Sequence, residues 1–264
     1  MNAGDEFLKG DIQAAVAAAT AAVRAAPRDA GKRWLLSEML LFAGDPEKAD
    51  RALDAVITEE PSAGLLEFRK LLRAEEARRQ TFADGRVPKM QGDDPTPAQR
   101  AALQALTFLR FGDMAGAAAA VAESEAVRPK IAGTANDQPF DDLRDVDDIL
   151  APLLEVLTNA GEYLWVPLER IRSLTFDEPK RPRDLYWRKC VIELRDGTEG
   201  HIFVPAIYPW STAETRSSLR LGRETDWIDG DGGPVRGLGQ RVWLAGENAL
   251  PIAEIETIVF DEGA

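Results

Sequence analysis

Apolar and small residues recur at helical spacing through the first half of the chain. Leu36, Leu40, Leu53 and Val56 predict helices with one buried stripe and one wet face. The pattern itself repeats. An offset of 34 residues carries Gly10-Asp11 onto Gly44-Asp45, Ala15 onto Ala49, Pro27 onto Pro61 and Trp34 onto Phe68, and two further steps reach Gly112-Asp113, Ala117 and Pro129. A helix-turn-helix repeat uses residues of these types: glycine in the tight turn, alanine where helices approach, proline where the second helix stops. The spacing predicts a degenerate, tetratricopeptide-like helical-repeat domain over residues 1–130. The intervening copy keeps Ala83 and Pro95 but has Arg78 in the glycine position and carries the loop-like QGDDPTP. That repeat is expected to be eroded or interrupted.

In this register Trp34, Glu38, Leu41, Leu65, Phe68 and Leu72 line the inner groove. Such a largely apolar strip suits an amphipathic helix from a partner, or else belongs to the core.

Residues 131–264 read as a second, α+β domain. After the hinge-like KIAGTANDQP, Leu143, Val146, Leu150, Leu153, Leu154 and Leu157 predict an amphipathic helix capped by Asp141 or Asp142, with Pro152 marking a kink or restart. From Tyr163 onward the pattern turns to short strands separated by turns: YLWV, LTF, CVIEL, HIFV, QRVWLA and TIVF. Within it VPLERIRSLTFDE and LPIAEIETIVFDE align without gaps, predicting two copies of a turn, a helical turn and a strand. The fold class expected is α+β and multidomain, with short antiparallel strands in the second part.

Charge narrows the partners. The formal net charge of -13 divides into -2 up to residue 130 and -11 beyond it. An acidic surface repels phosphate backbones and anionic headgroups, so neither nucleic-acid binding nor membrane insertion is expected. One cysteine permits no intrachain disulfide, and MNAGDEFLKGD has neither the basic nor the apolar region of a secretory signal. A cytoplasmic location follows as an expectation.

Candidate chemistry is sparse. The lone histidine, His201, rules out a histidine-rich metal cage, and Asp141, Asp142, Asp145, Asp147 and Asp148 read as helix-start carboxylates rather than metal ligands. Cys190 and His201 flank the RDGTEG turn and could pair across a hairpin, which makes a small hydrolase or transferase the alternative function. The segment IDGDGGPVRGLGQR lacks the lysine and hydroxyl of a phosphate loop, and an EF-hand register from Asp229 fails at Gln240. No catalytic residue, metal or cofactor is expected. The basic stretch DEPKRPRDLYWRKC lies between two strands, so Arg181, Arg183, Asp184 and Trp187 are expected to form a structural or partner-facing loop.

The order of these parts resembles the TagJ/ImpE family of type VI secretion accessory proteins. The resemblance rests on the degenerate helical repeats, QPFDDL and DVDDILAPLLEVL, then YLWVPLERIRSLTFDEPKRPRDLYWRKCVIELRDG, VPAIYPWS, TDWIDGDGGPVRGLGQRVWLAG and IETIVF. This chain departs where the family usually has Arg-Leu-Gly-Pro, at Ile149-Leu150-Ala151-Pro152, and at Asp142, where an aromatic or large apolar residue is usual. The resemblance implies a non-enzymatic adaptor that associates with the small subunit of the contractile sheath through a helix of that subunit. It further implies help to the sheath-recycling AAA+ ATPase in engaging its substrate.

Overall fold

The computed structural model describes residues 2–59, 61–213, 216–230 and 232–262; Met1, Glu60, Glu214, Thr215, Asp231, Gly263 and Ala264 lie outside the described residues. Eight helices come first: α1 (Ala3–Lys9), α2 (Ile12–Ala25), α3 (Ala30–Phe42), α4 (Pro46–Ala52), α5 (Asp54–Glu59), α6 (Ala63–Ala83), α7 (Pro97–Arg110) and α8 (Met114–Val127). The repeated Gly-Asp pair has a direct physical meaning. Gly10, Gly44 and Gly112 adopt left-handed φ values of 91°, 79° and 73°, which end one helix cheaply. Asp11, Asp45 and Asp113 then cap the next helix by accepting from the backbone N–H of Ala14, Lys48 and Gly116.

At the third repeat the pattern changes: without a glycine at 78, α6 runs unbroken for 21 residues. The helix continues through the position where the repeat would turn, with Arg78 buried within it, and the rest of that copy is loop and the short strand Lys89–Met90.

The chain switches from helix to sheet between α8 and the first strand of the second half. The strands are β1 (Lys89–Met90), β2 (Gly133–Ala135), β3 (Gln138–Phe140), β4 (Leu143–Asp145), β5 (Leu153–Thr158), β6 (Tyr163–Pro167), β7 (Ile171–Phe176), β8 (Trp187–Leu194), β9 (Glu199–Pro205), β10 (Thr225–Ile228), β11 (Arg236–Gly239), β12 (Val242–Ala245), β13 (Asn248–Pro251) and β14 (Thr257–Phe260), with one short helix, α9 (Ser217–Arg220). Nine of them form one sheet in the order β1-β6-β5-β9-β8-β7-β14-β2-β3, antiparallel except that β1, from the helical half, pairs parallel with β6. The fold is α+β, helices followed by a mostly antiparallel sheet.

Both faces of the large sheet are covered. Leu153, Leu157, Tyr163, Trp165, Trp187 and Phe203 face the core shared with α1–α8. Leu154, Val156, Val166, Cys190 and Ile192 face a second core closed by Trp243 on the small sheet β13-β12-β4. Strand β5 is therefore buried on both sides, and this corrects the amphipathic helix expected over 141–157. A doubly buried strand reads as a continuous apolar run that helical periodicity also fits. The aspartates there make a loop instead: Asp145 accepts from the N–H of Asp147, and Asp147 accepts from those of Ile149 and Leu150. Pro152 ends that loop.

The two aligned segments do repeat in space. Pro167 and Pro251, with φ of -62° and -61°, each open a single 3-10 turn before β7 and β14, and these strands pair with Leu174 opposite Ile258.

Candidate functional site

The helical half is held to the sheet by charges that water does not reach. Glu155 on β5 accepts from Arg78 Nε at 2.8 Å and Nη2 at 3.2 Å, from Tyr163 Oη at 2.6 Å and from Arg241. Arg78 also donates to Glu75 Oε1 at 3.1 Å and to the Ile207 carbonyl at 2.9 Å. Glu75 accepts from Trp187 Nε1 at 2.9 Å. Arg241 lies 3.4 Å from Asp145, which also accepts from Trp243 Nε1 at 3.2 Å and lies 2.7 Å from Tyr208 Oη. Burial alone would raise the Glu155 carboxyl, but the Arg78 and Arg241 charges outweigh it and hold the group down at about 2. These groups are fully enclosed and mutually paired, so they fix how α6 sits on the sheet and offer nothing to a ligand.

Asp147 joins the same framework from the side. It accepts from Trp210 Nε1 at 2.8 Å and from the Gly237 N–H at 2.9 Å, and a Cβ at Gly237 would come within 2.3 Å of the Tyr208 ring. Asp142 pairs with Arg128, and Asp148 with Arg144 and the Val235 N–H. Asp142, Asp145, Asp147 and Asp148 thus each have a structural partner.

The basic loop packs on the helices. Asp184 accepts from the N–H groups of Lys180 and Arg181, closing the turn, and Trp187 is buried against α6. Arg183 lies 4.9 Å from the Phe68 ring centroid and 5.2 Å from that of Trp34, while Arg181 lies 4.8 Å over Trp34. Of the two readings of the inner strip, groove or core, the core holds for four of its six residues. Leu41, Leu65, Phe68 and Leu72 are at most 1% exposed, because the sheet's own loop and Trp187 cover the inner face of the helices. Trp34, half-buried and stacked on Phe68 at 5.4 Å, and Glu38 remain beside open space.

That space is a cleft of about 430 Å³ bordered by Trp34, Leu35, Glu38, Val56, Ser62 and Arg181, with Ala30, Gly31 and Pro61 completing its wall. Glu38 accepts from Trp34 Nε1 at 3.1 Å. Burial raises its carboxyl to about 7 against the lowering influence of Trp34, Arg181 and Arg183. The folded protein therefore keeps a proton on Glu38 across a window, from the ordinary 4.5 up to about 7, in which the unfolded chain has lost it. Stability falls as pH rises through that window and levels off above it. Glu38→Gln is expected to remove up to roughly 3 kcal/mol of this fall. Urea titrations of both proteins at pH 5 and pH 8 measure it, and parallel losses in the two would refute the assignment.

Cys190 and His201 do not form a pair. Cys190 stands opposite Ile202, and His201 opposite Val191, so the two side chains leave opposite faces of the sheet. Cys190 is enclosed, and burial pushes its thiol up to about 12. A nucleophile at this position has no access, and His201 is not its base.

These features define a class: a run of helices fused through a buried ionic interface to a β-sheet unit, with a cleft on the helical side. The ImpE protein family model matches residues 137–259. The chain is 33% identical over 253 residues, 93% of its length and 87% of the relative's, to the type VI secretion system accessory component TagJ of Pseudomonas aeruginosa. Its fold is similar to the crystal structure of protein VPA1032 from Vibrio parahaemolyticus, with a TM-score of 0.91 at 27% identity, covering 99% of this chain and 98% of that one. The chain belongs to the TagJ/ImpE family. Among the described residues no helix is long and apolar enough to cross a membrane.

Sequence reasoning missed Arg78, Glu155 and Arg241 as the connection between the halves. The signal available was the arginine standing where the repeat calls for glycine.

Proposed function

We propose that this protein is a cytoplasmic, non-enzymatic accessory component of a type VI secretion system. It binds the small subunit of the contractile sheath through a helix of that subunit, and by doing so helps the sheath-recycling AAA+ ATPase engage its substrate. The observation that carries the reading is the 33% identity, over 93% of this chain, to a protein named as an accessory component of that system. The enclosed state of Cys190 and its separation from His201 weigh against the hydrolase alternative. A part-apolar cleft on the helical half, with the Trp34 ring half-buried beside it, supports a helix as the bound element.

The reading is tested by capture of the purified sheath small subunit on the immobilised full-length protein. Capture is expected, and removal of the subunit's N-terminal helix is expected to abolish it. Retention of the helix-less subunit at the same level would overturn the proposed mode of binding.

A further inference from the structure

The cleft beside Trp34 has a chemical bias of its own. Its floor and wall are apolar at Leu35 and Val56, and its one carboxyl among the lining residues, Glu38, is buried and engaged by Trp34. The group at the rim is cationic. The Arg181 guanidinium lies 4.8 Å over the Trp34 ring, belongs to an exposed residue, and forms no ion pair among the described residues. A guanidinium placed over an indole can still direct N–H groups outward to a carboxylate, in the two-pronged geometry that such pairs favour. Arg183, behind it over Phe68, lies 3.8 Å from both Glu67 and Asp184, so its charge is matched within the protein and Arg181 alone carries the bias of this rim.

We propose that this cleft selects an acidic amphipathic helix: one apolar side chain enters against Trp34, Leu35 and Val56, and an aspartate or glutamate about one turn away pairs with Arg181. This rests on the adaptor reading and adds which chemistry the bound helix must carry and where it lands. Charge reversal at the rim changes affinity without touching the fold, because Arg181 is exposed. The cleft can also be filled from within. Gly31 lies in α3, and a Cβ there would meet only Asp29 Oδ1, at 3.4 Å, so Gly31→Phe is accommodated by the backbone and projects a ring at the cleft wall.

The test is a titration of full-length protein with the purified sheath small subunit in low salt. Arg181→Glu and Gly31→Phe are each expected to weaken binding about tenfold or more, while Arg172→Glu, on β7, changes it less than about twofold. A sheath subunit whose helix carries lysine in place of its acidic residues is expected to bind Arg181→Glu better than wild type. Undiminished binding by both Arg181→Glu and Gly31→Phe overturns the cleft assignment and leaves the adaptor function standing. Better binding of the lysine-bearing helix by wild type than by Arg181→Glu overturns the acidic-helix chemistry. Absence of any binding by wild type removes the adaptor reading and this inference with it.

Discussion

Glu155→Ala unfolds about 3–5 kcal/mol more easily than wild type in urea titrations at neutral pH. The side chain is fully enclosed and accepts from Arg78, Arg241 and Tyr163 together. Removing it leaves two enclosed guanidiniums facing one another, with Glu75 and Asp145 as their remaining carboxylates. The loss is the penalty of orphaned charge, not the net worth of the ion pair, since desolvating both partners offsets much of their attraction. A second substitution exposes the difference. Arg78→Met combined with Glu155→Leu is expected to cost well under the sum of the two single changes, because neither partner is then left alone. Strict additivity in that cycle would mean that the pair is not coupled as described.

Trp187→Ala is expected to cost about 3–5 kcal/mol by the same measurement. Its indole is 1% exposed, packs edge-on against Phe68 at 6.2 Å and Tyr186 at 5.3 Å, and donates to Glu75 Oε2. The substitution removes a large buried surface and a donor to an enclosed carboxylate at once. Trp187→Phe keeps most of the ring and loses only the donor, so about 1–3 kcal/mol is expected from the unsatisfied Glu75 oxygen and the smaller volume. Equal losses for the two variants would show that volume contributes little and the hydrogen bond nearly everything.

Both predictions concern contacts between residues far apart in the chain, and this explains what was legible beforehand. The Gly-Asp pairs announced helix ends because a left-handed glycine and an aspartate cap act within a few residues of each other. The strands from Tyr163 onward, and the twin units at Pro167 and Pro251, were legible for the same local reason. Residues 141–157 were misread because β5 is buried on both faces, which erases the alternation that marks a strand. The inner strip from Trp34 to Leu72 was placed on the correct helices, α3 and α6, yet nothing local says that Arg183 and Trp187 lie across it. Arg78 was visible as a break in the repeat, but its partner Glu155 is 77 residues away, and Arg241, which shares that carboxylate, 163. A pairing at that separation becomes readable only once the topology is known.

The buried ionic interface and the cleft have separate consequences. Arg78, Glu155 and Trp187 set the placement of the helices on the sheet, so their loss lowers stability first. Arg181 is exposed, so changes there are expected to leave stability unaltered. Glu38 stands between the two, since it is buried like the first group and borders the cleft like the second.

The central claim is that this protein holds a helix of the sheath small subunit, and a competition titration tests it most directly. The full-length protein is loaded with purified sheath small subunit, and a synthetic peptide of that subunit's N-terminal helix is added. Complete displacement of the subunit at saturating peptide, with one peptide bound per protein, is the predicted result. A subunit that stays bound in saturating peptide, or that binds equally well with its helix removed, would contradict it.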